Sequence, residues 1–146
     1  DRFDAENKKI FTTNEYTVTK DSDRMGCRLD GAVVEAADDN DILSEPTQFG
    51  SIQVPKNGQP IILLADRQTA GGYKKIGTVA KVDLPKIAQK KPGETVTFKE
   101  ISVEEAAQLY KDSLRALTDG TYIETSVKFG LARRRDALSI VQLMEG

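Results

Sequence analysis

Apolar and polar positions alternate through much of the chain with the two-residue period of half-buried strands, interrupted by one long run at helical spacing. Glu15-Tyr16-Thr17-Val18-Thr19 is β-branched and aromatic, so it reads as a strand. Arg24 to Leu29 reads as a second, joined through the polar turn Lys20-Asp21-Ser22-Asp23. Ser51-Ile52-Gln53-Val54 alternates and stops at Pro55, and Lys56-Asn57-Gly58-Gln59 signals a tight turn. Ile61 to Ala65 is a continuous apolar run, short and β-branched, which suits a fully buried strand. Further strands are expected at Ile76–Val82 and Thr95–Ile101, with polar, loop-like segments at Ala37–Pro46 and Asp66–Lys74.

Helices are fewer. Asp4 can cap a short one through Phe11, and Leu84 to Lys91 makes another, stopped by Pro92-Gly93. Ser102-Val103-Glu104-Glu105 is a capping box that opens the clearest helix. Its stripe of Val103, Ala106, Ala107, Tyr110, Leu114 and Leu117 should pack on the sheet or on a partner. Beyond Gly120, the segments Tyr122–Phe129 and Ala137–Leu143 read as a strand pair or an irregular tail. Many short strands with few helices predict a mainly β, barrel-like domain.

The chain has 146 residues, enough for one domain with a real core. A net charge of −2 argues against a nucleic-acid binder, and no run approaches ~18 apolar residues, so no membrane span is expected. The absence of histidine removes imidazole catalysis and histidine-held metals. Acid–base work would fall to carboxylates, Lys, Tyr or backbone groups. The single cysteine, Cys27, excludes an intrachain disulfide, suits a reducing cytoplasm, and is expected to be a small buried hydrophobe. No metal site is expected, although Asp38-Asp39-Asn40-Asp41 could offer oxygens to a hard cation. Arg133-Arg134-Arg135 reads as a solvated face. The opening Asp1-Arg2-Phe3, without an initiator Met or signal peptide, suggests a fragment of something longer.

Three segments carry candidate chemistry. Asp66-Arg67-Gln68-Thr69-Ala70-Gly71-Gly72-Tyr73 follows the buried strand and gathers a carboxylate, a guanidinium, an amide, a hydroxyl and a phenol. Its glycine pair permits close backbone approach to a ligand. A polar hairpin with structural glycines is the competing reading. Asp21-Ser22-Asp23-Arg24-Met25-Gly26 can hold a polar ligand or be an ion-paired turn. Gln53-Val54-Pro55 with Gly58-Gln59-Pro60 can present two amides to a small substrate or be turn-edge glutamines. Gly26 and Gly31 have phosphate-loop spacing, but Ala32-Val33 stands where Lys-Ser/Thr is required.

These segments, together with Lys75-Ile76-Gly77-Thr78-Val79 and Asp83-Leu84-Pro85, resemble the C-terminal half of the C component of bacterial 5-oxoprolinase, one of the subunits of that enzyme. That family is also labelled allophanate hydrolase subunit 2, biotin-dependent carboxyltransferase and KipI antagonist. The resemblance runs from Asp1 to about Ala107. It departs from the family at Cys27, usually an aromatic, and at Lys74, usually a proline. It implies a cyclophilin-like β-barrel over 1–117, with 118–146 a tail of unknown role.

It further implies a subunit fragment of an ATP-dependent 5-oxoprolinase, working in the cytoplasm with a cyclophilin-like partner subunit and inactive alone. ATP would serve the full complex and is not expected to be held securely by this fragment. On the matched motifs, Asp66 would orient substrate or water and Arg67 would stabilise developing negative charge. Asp23, Arg24, Gln53, Gln59, Gln68, Thr69, Gly71, Gly72 and Tyr73 would bind the small polar substrate. Two alternatives belong to the same resemblance: a regulatory module that binds a KipI-like partner, and a carboxyltransferase domain that takes carboxybiotin as in urea carboxylase.

Overall fold

The computed structural model describes residues 2–37 and 42–119, and the backbone of 137–141. The chain enters through helix α1 (Ala5–Thr13), capped by the Asp4 side chain, which accepts from the Asn7 amide at 2.8 Å. Strands β1 (Glu15–Val18) and β2 (Gly26–Asp30) follow, then β3 (Glu45–Pro46), β4 (Ser51–Val54), β5 (Ile61–Leu63), β6 (Ala70–Gly71) and β7 (Lys74–Val79). Helix α2 (Leu84–Ala88), strand β8 (Thr95–Ile101), helix α3 (Val103–Thr118) and strand β9 (Ala137–Val141) complete the order.

Six strands curl in the order β8-β1-β2-β5-β4-β7, and β9 seats between β7 and β8 to close the barrel. Pairing is antiparallel except between β8 and β9. β3 and β6 form a separate two-stranded ribbon, with Glu45 opposite Gly71 and Pro46 opposite Ala70. The mainly β barrel expected from the alternation is the observed architecture.

Strand alternation sorts residues between the two faces of the wall. Tyr16, Val18, Cys27, Leu29, Ile52, Ile62, Val96 and Phe98 point inward and are buried. Phe11 of α1 joins them, its ring 4.3 Å from Phe98 and 5.5 Å from Tyr16. Truncating an aromatic in such a cluster costs about 3–5 kcal/mol. Cys27 is the small buried hydrophobe expected, and burial raises its thiol pKa. The Tyr16 hydroxyl is buried without a described partner, and the desolvation pushes its pKa up to about 12.

Several boundaries differ from the pattern reading. The second strand begins at Gly26, not Arg24, because the Asp23 carboxylate accepts from the Met25 and Gly26 amides at 2.8 and 3.0 Å. This Asx turn prolongs the loop. The apolar run Ile61–Ala65 leaves its ladder after Leu63 and is not buried on both faces, since Ile61 is only half-buried. The expected loops at 37–46 and 66–74 each donate one strand of the ribbon, a long-range pairing that local pattern does not encode.

The Gly58 turn forms as expected, with φ +72° and its amide on the Pro55 carbonyl at 2.9 Å. Ser102 caps α3 by accepting from the Glu105 amide at 3.0 Å. The α3 stripe is less covered than expected: Val103, Leu114 and Leu117 are exposed, while Tyr110 is held by Lys81 at 4.4 Å from its ring centre. No helix of the described residues is long and apolar enough to cross a membrane. The segments Asp38–Asp41, Tyr122–Phe129 and Arg133–Arg135 lie outside the described residues.

Candidate functional site

The outer face of the wall carries the site. Arg28 lies opposite Ile61 on β5, and Ile61 lies opposite Gln53 on β4. Directly opposed residues project to the same side, so these three form one row across the outer surface. The row continues to Lys75 on β7, where the register passes over Ile76 between the pairs Ile52–Gly77 and Gln53–Lys75. The ribbon β3–β6 lies over the Lys75 end. Lys75 Nζ donates to the Pro46 carbonyl and pairs with Glu45, both at 3.1 Å, and Glu45 also pairs with Arg2. The hydrogen bonds from Arg2, then those from Lys75, hold the Glu45 carboxyl down at about 2.

Between ribbon and wall opens a cleft of about 880 Å³. That lies in the range of small-molecule sites. Ile61 and Leu63 give it an apolar floor, with Met25 and Tyr73 partly exposed at its edges. Its polar groups differ in how far they are already satisfied. Gln53 is 2% exposed, and its Nε2 has no partner among the described residues. Leaving a buried amide unpaired costs about 1–3 kcal/mol. A ligand acceptor at this point would recover that cost.

Gly71 leaves the room that the Gln53 amide occupies beside the ribbon. A Cβ at Gly71 would lie 2.7 Å from Gln53 Nε2 and 3.1 Å from Gln68 Nε2. The missing side chain lets both amides converge on the ribbon backbone. Gln68 lines the cleft from above, its carbonyl held by the Thr47 hydroxyl.

The expected site residues therefore separate. Gln53, Gln68, Gly71, Gly72 and Tyr73 come together around the cleft. Gln59 also lines it, but its amide is satisfied at both ends by Gly31, accepting at 3.0 Å and donating at 3.3 Å. Asp66 pairs with Arg24 at 2.8 Å on the exposed rim, and neither lines the cleft. Asp23 is occupied by its turn. Arg67 is half-buried with its Nε unpartnered among the described residues, and Thr69 gives its carbonyl to the Thr47 amide at 2.9 Å. Neither is part of the cleft lining.

Arg28 and Asp30 are cleft residues that sequence reading did not single out, whereas Asp21, which also lines the cleft, lay in the candidate segment Asp21–Gly26. One signal was available for Arg28: a charged residue between Cys27 and Leu29 must face away from the core. Among the described residues no cluster of His, Cys, Asp and Glu could hold a metal ion.

The family described as carboxyltransferase domain, subdomain A and B, matches residues 1–100. The C component of the 5-oxoprolinase of Haemophilus influenzae is 43% identical over 123 residues, covering 80% of this chain and 40% of that protein. The C component of the 5-oxoprolinase of Escherichia coli is 36% identical over 113 residues, covering 77% of this chain and 36% of that protein. The chain thus spans about two fifths of the curated relatives it matches. Among solved structures, the urea amidolyase of K. lactis superposes with a TM-score of 0.75 at 25% identity, over 82% of this chain and 8% of that one. The Kluyveromyces lactis urea carboxylase gives the same score and identity, over 82% of this chain and 11% of that one.

Proposed function

The chain belongs to the carboxyltransferase domain, subdomain A and B, family, and from that premise we propose that it is part of a 5-oxoprolinase subunit whose outer cleft binds the lactam of 5-oxoproline. The observation that carries this reading is the buried, unpartnered Nε2 of Gln53 at an open cleft. A lactam offers a carbonyl acceptor and an N–H donor side by side. Gln53 donates to the carbonyl oxygen, and Gln68, the second amide beside Gly71, meets the ring N–H. Ile61 and Leu63 pack against the ring methylenes. Such donors act on the reaction when they bind the carbonyl oxygen more tightly as it gains negative charge.

The cleft is a poor fit for ATP. Its lining sets one guanidinium, Arg28, against two carboxylates, Asp21 and Asp30. A triphosphate calls for several cations or a glycine-rich amide nest. We therefore assign the ATP-consuming step, and the partner subunits that complete the site, to the rest of the assembly.

The test uses the full-length protein carrying this chain, combined with its partner subunits. Glutamate formed from 5-oxoproline and ATP is measured for wild type and Gln53→Leu. The expected result is activity in wild type and a loss of about 100-fold or more in the variant. Activity unchanged in Gln53→Leu would overturn the assignment.

A second reading rests on the likeness to the urea-processing enzymes. The same amides would then bind urea, and a carboxyl group would arrive on carboxybiotin from another chain. Carboxylation of urea by the full-length protein, without turnover of 5-oxoproline, would establish that alternative.

A further inference from the structure

The cleft holds one cation that the reading above does not use. Arg28 projects from the middle of β2 into the lining, and its guanidinium has no partner among the described residues. Arg24, by contrast, is paired with Asp66, and Arg2 with Glu45. Asp30, two residues along the same face, and Asp21 also line the cleft, yet neither pairs with Arg28.

Position adds to this. Arg28 and Gln53 stand in one row with Ile61 between them. Two strand spacings separate their backbones by about 10 Å. An arginine and a glutamine side chain reaching inward from those points leave between them a gap suited to a small bifunctional solute. Its amide would meet Gln53, its apolar body would lie on Ile61, and an anionic group would meet the guanidinium fork. A carboxylate matches that fork in shape and charge. Asp21 and Asp30 would repel a second negative charge, so a monoanion is favoured over a dianion or polyphosphate.

We infer that Arg28 is the specificity-determining residue of this cleft, the anchor for the carboxylate of an amide-bearing monocarboxylic acid. The inference rests on the lactam reading above and adds the recognition of the acid. It separates 5-oxoproline from its neutral carboxamide and from urea, which lack the carboxylate.

The full-length protein in its assembly is tested for binding of 5-oxoproline and of 5-oxoprolinamide, and for glutamate formation from 5-oxoproline. Wild type should prefer the acid over the carboxamide. Arg28→Gln should raise KM for the acid about 10- to 100-fold with kcat changed far less, and should erase the preference. Arg28→Lys should restore part of it. Arg28 is exposed, so the variants should fold, as checked by unchanged thermal unfolding. If wild type prefers the acid and Arg28→Gln keeps that preference, the role of Arg28 is refuted while the lactam reading stands. If wild type binds acid and carboxamide equally, the same conclusion follows. If wild type binds neither, both proposals fail.

Discussion

The rim and the floor of the cleft are built from the same residue types, but they differ in what their polar groups are already doing. At the rim, Arg24 neutralises Asp66, Asp23 caps its own turn, and Gln59 is bonded at both amide ends to Gly31. On the floor and its cover, Gln53 holds a buried donor without a described partner and Arg28 a guanidinium unpaired among the described residues. A polar side chain beside a cavity is therefore no sign of binding until its hydrogen-bonding capacity is counted. Groups already saturated shape a cleft; groups left open at a buried position can hold a ligand.

Substitutions can break this contrast. The largest effect after Gln53→Leu is expected from Gly71→Ala. The new methyl would displace the ends of Gln53 and Gln68. Turnover of 5-oxoproline by the assembly should fall about 10- to 100-fold, while the melting temperature changes little. At the rim, Gln59→Ala should behave in the opposite way. It removes both links to Gly31 and should destabilise the fold by about 1–2 kcal/mol in denaturant unfolding, with KM unchanged.

Acid sharpens the picture of the ribbon. Glu45 has a folded-state pKa of about 2, below the 4.5 of an unperturbed glutamate. Its stabilisation is therefore complete above about pH 4.5 and is lost as pH falls toward 2. Its side chain is 32% exposed, so screening keeps the effect to about 1 kcal/mol. Glu45→Gln should remove this acid sensitivity from pH-dependent unfolding curves. The smallest effect belongs to Asp66→Ala. Its pair with Arg24 is solvent-exposed, so stability should change by less than about 1 kcal/mol and turnover by less than about threefold. A loss of activity above 100-fold would instead restore Asp66 to the reacting centre.

The barrel was legible because strand alternation is local. Tyr16, Val18, Val96 and Phe98 mark an inward face by their spacing, and Ile52 joins them in the core. The capping residues Asp4 and Ser102 marked their helices for the same reason. The ribbon was not legible, since Glu45 meets Gly71 only through tertiary pairing. That pairing is also what turns a polar loop into the roof of a cleft. At the site, the motifs led to the neighbourhood of Gln53, Gln68, Gly71, Gly72 and Tyr73, which the fold gathers around one cleft. They could not separate Gln53 from Gln59, because the bonds of Gln59 to Gly31 span 28 positions. Arg28 drew no notice because it sits in an ordinary strand without a motif around it.

The most direct test of the floor is to watch Gln53 itself. The full-length protein, labelled with nitrogen-15 and combined with its unlabelled partner subunits, is titrated with 5-oxoproline, and the Gln53 side-chain amide signals are assigned through their disappearance in Gln53→Leu. A saturable shift of those signals is expected at the concentrations that saturate binding, with the Gln59 signals nearly still. Binding of 5-oxoproline that leaves the Gln53 amide unmoved would contradict a ligand-holding role for the floor.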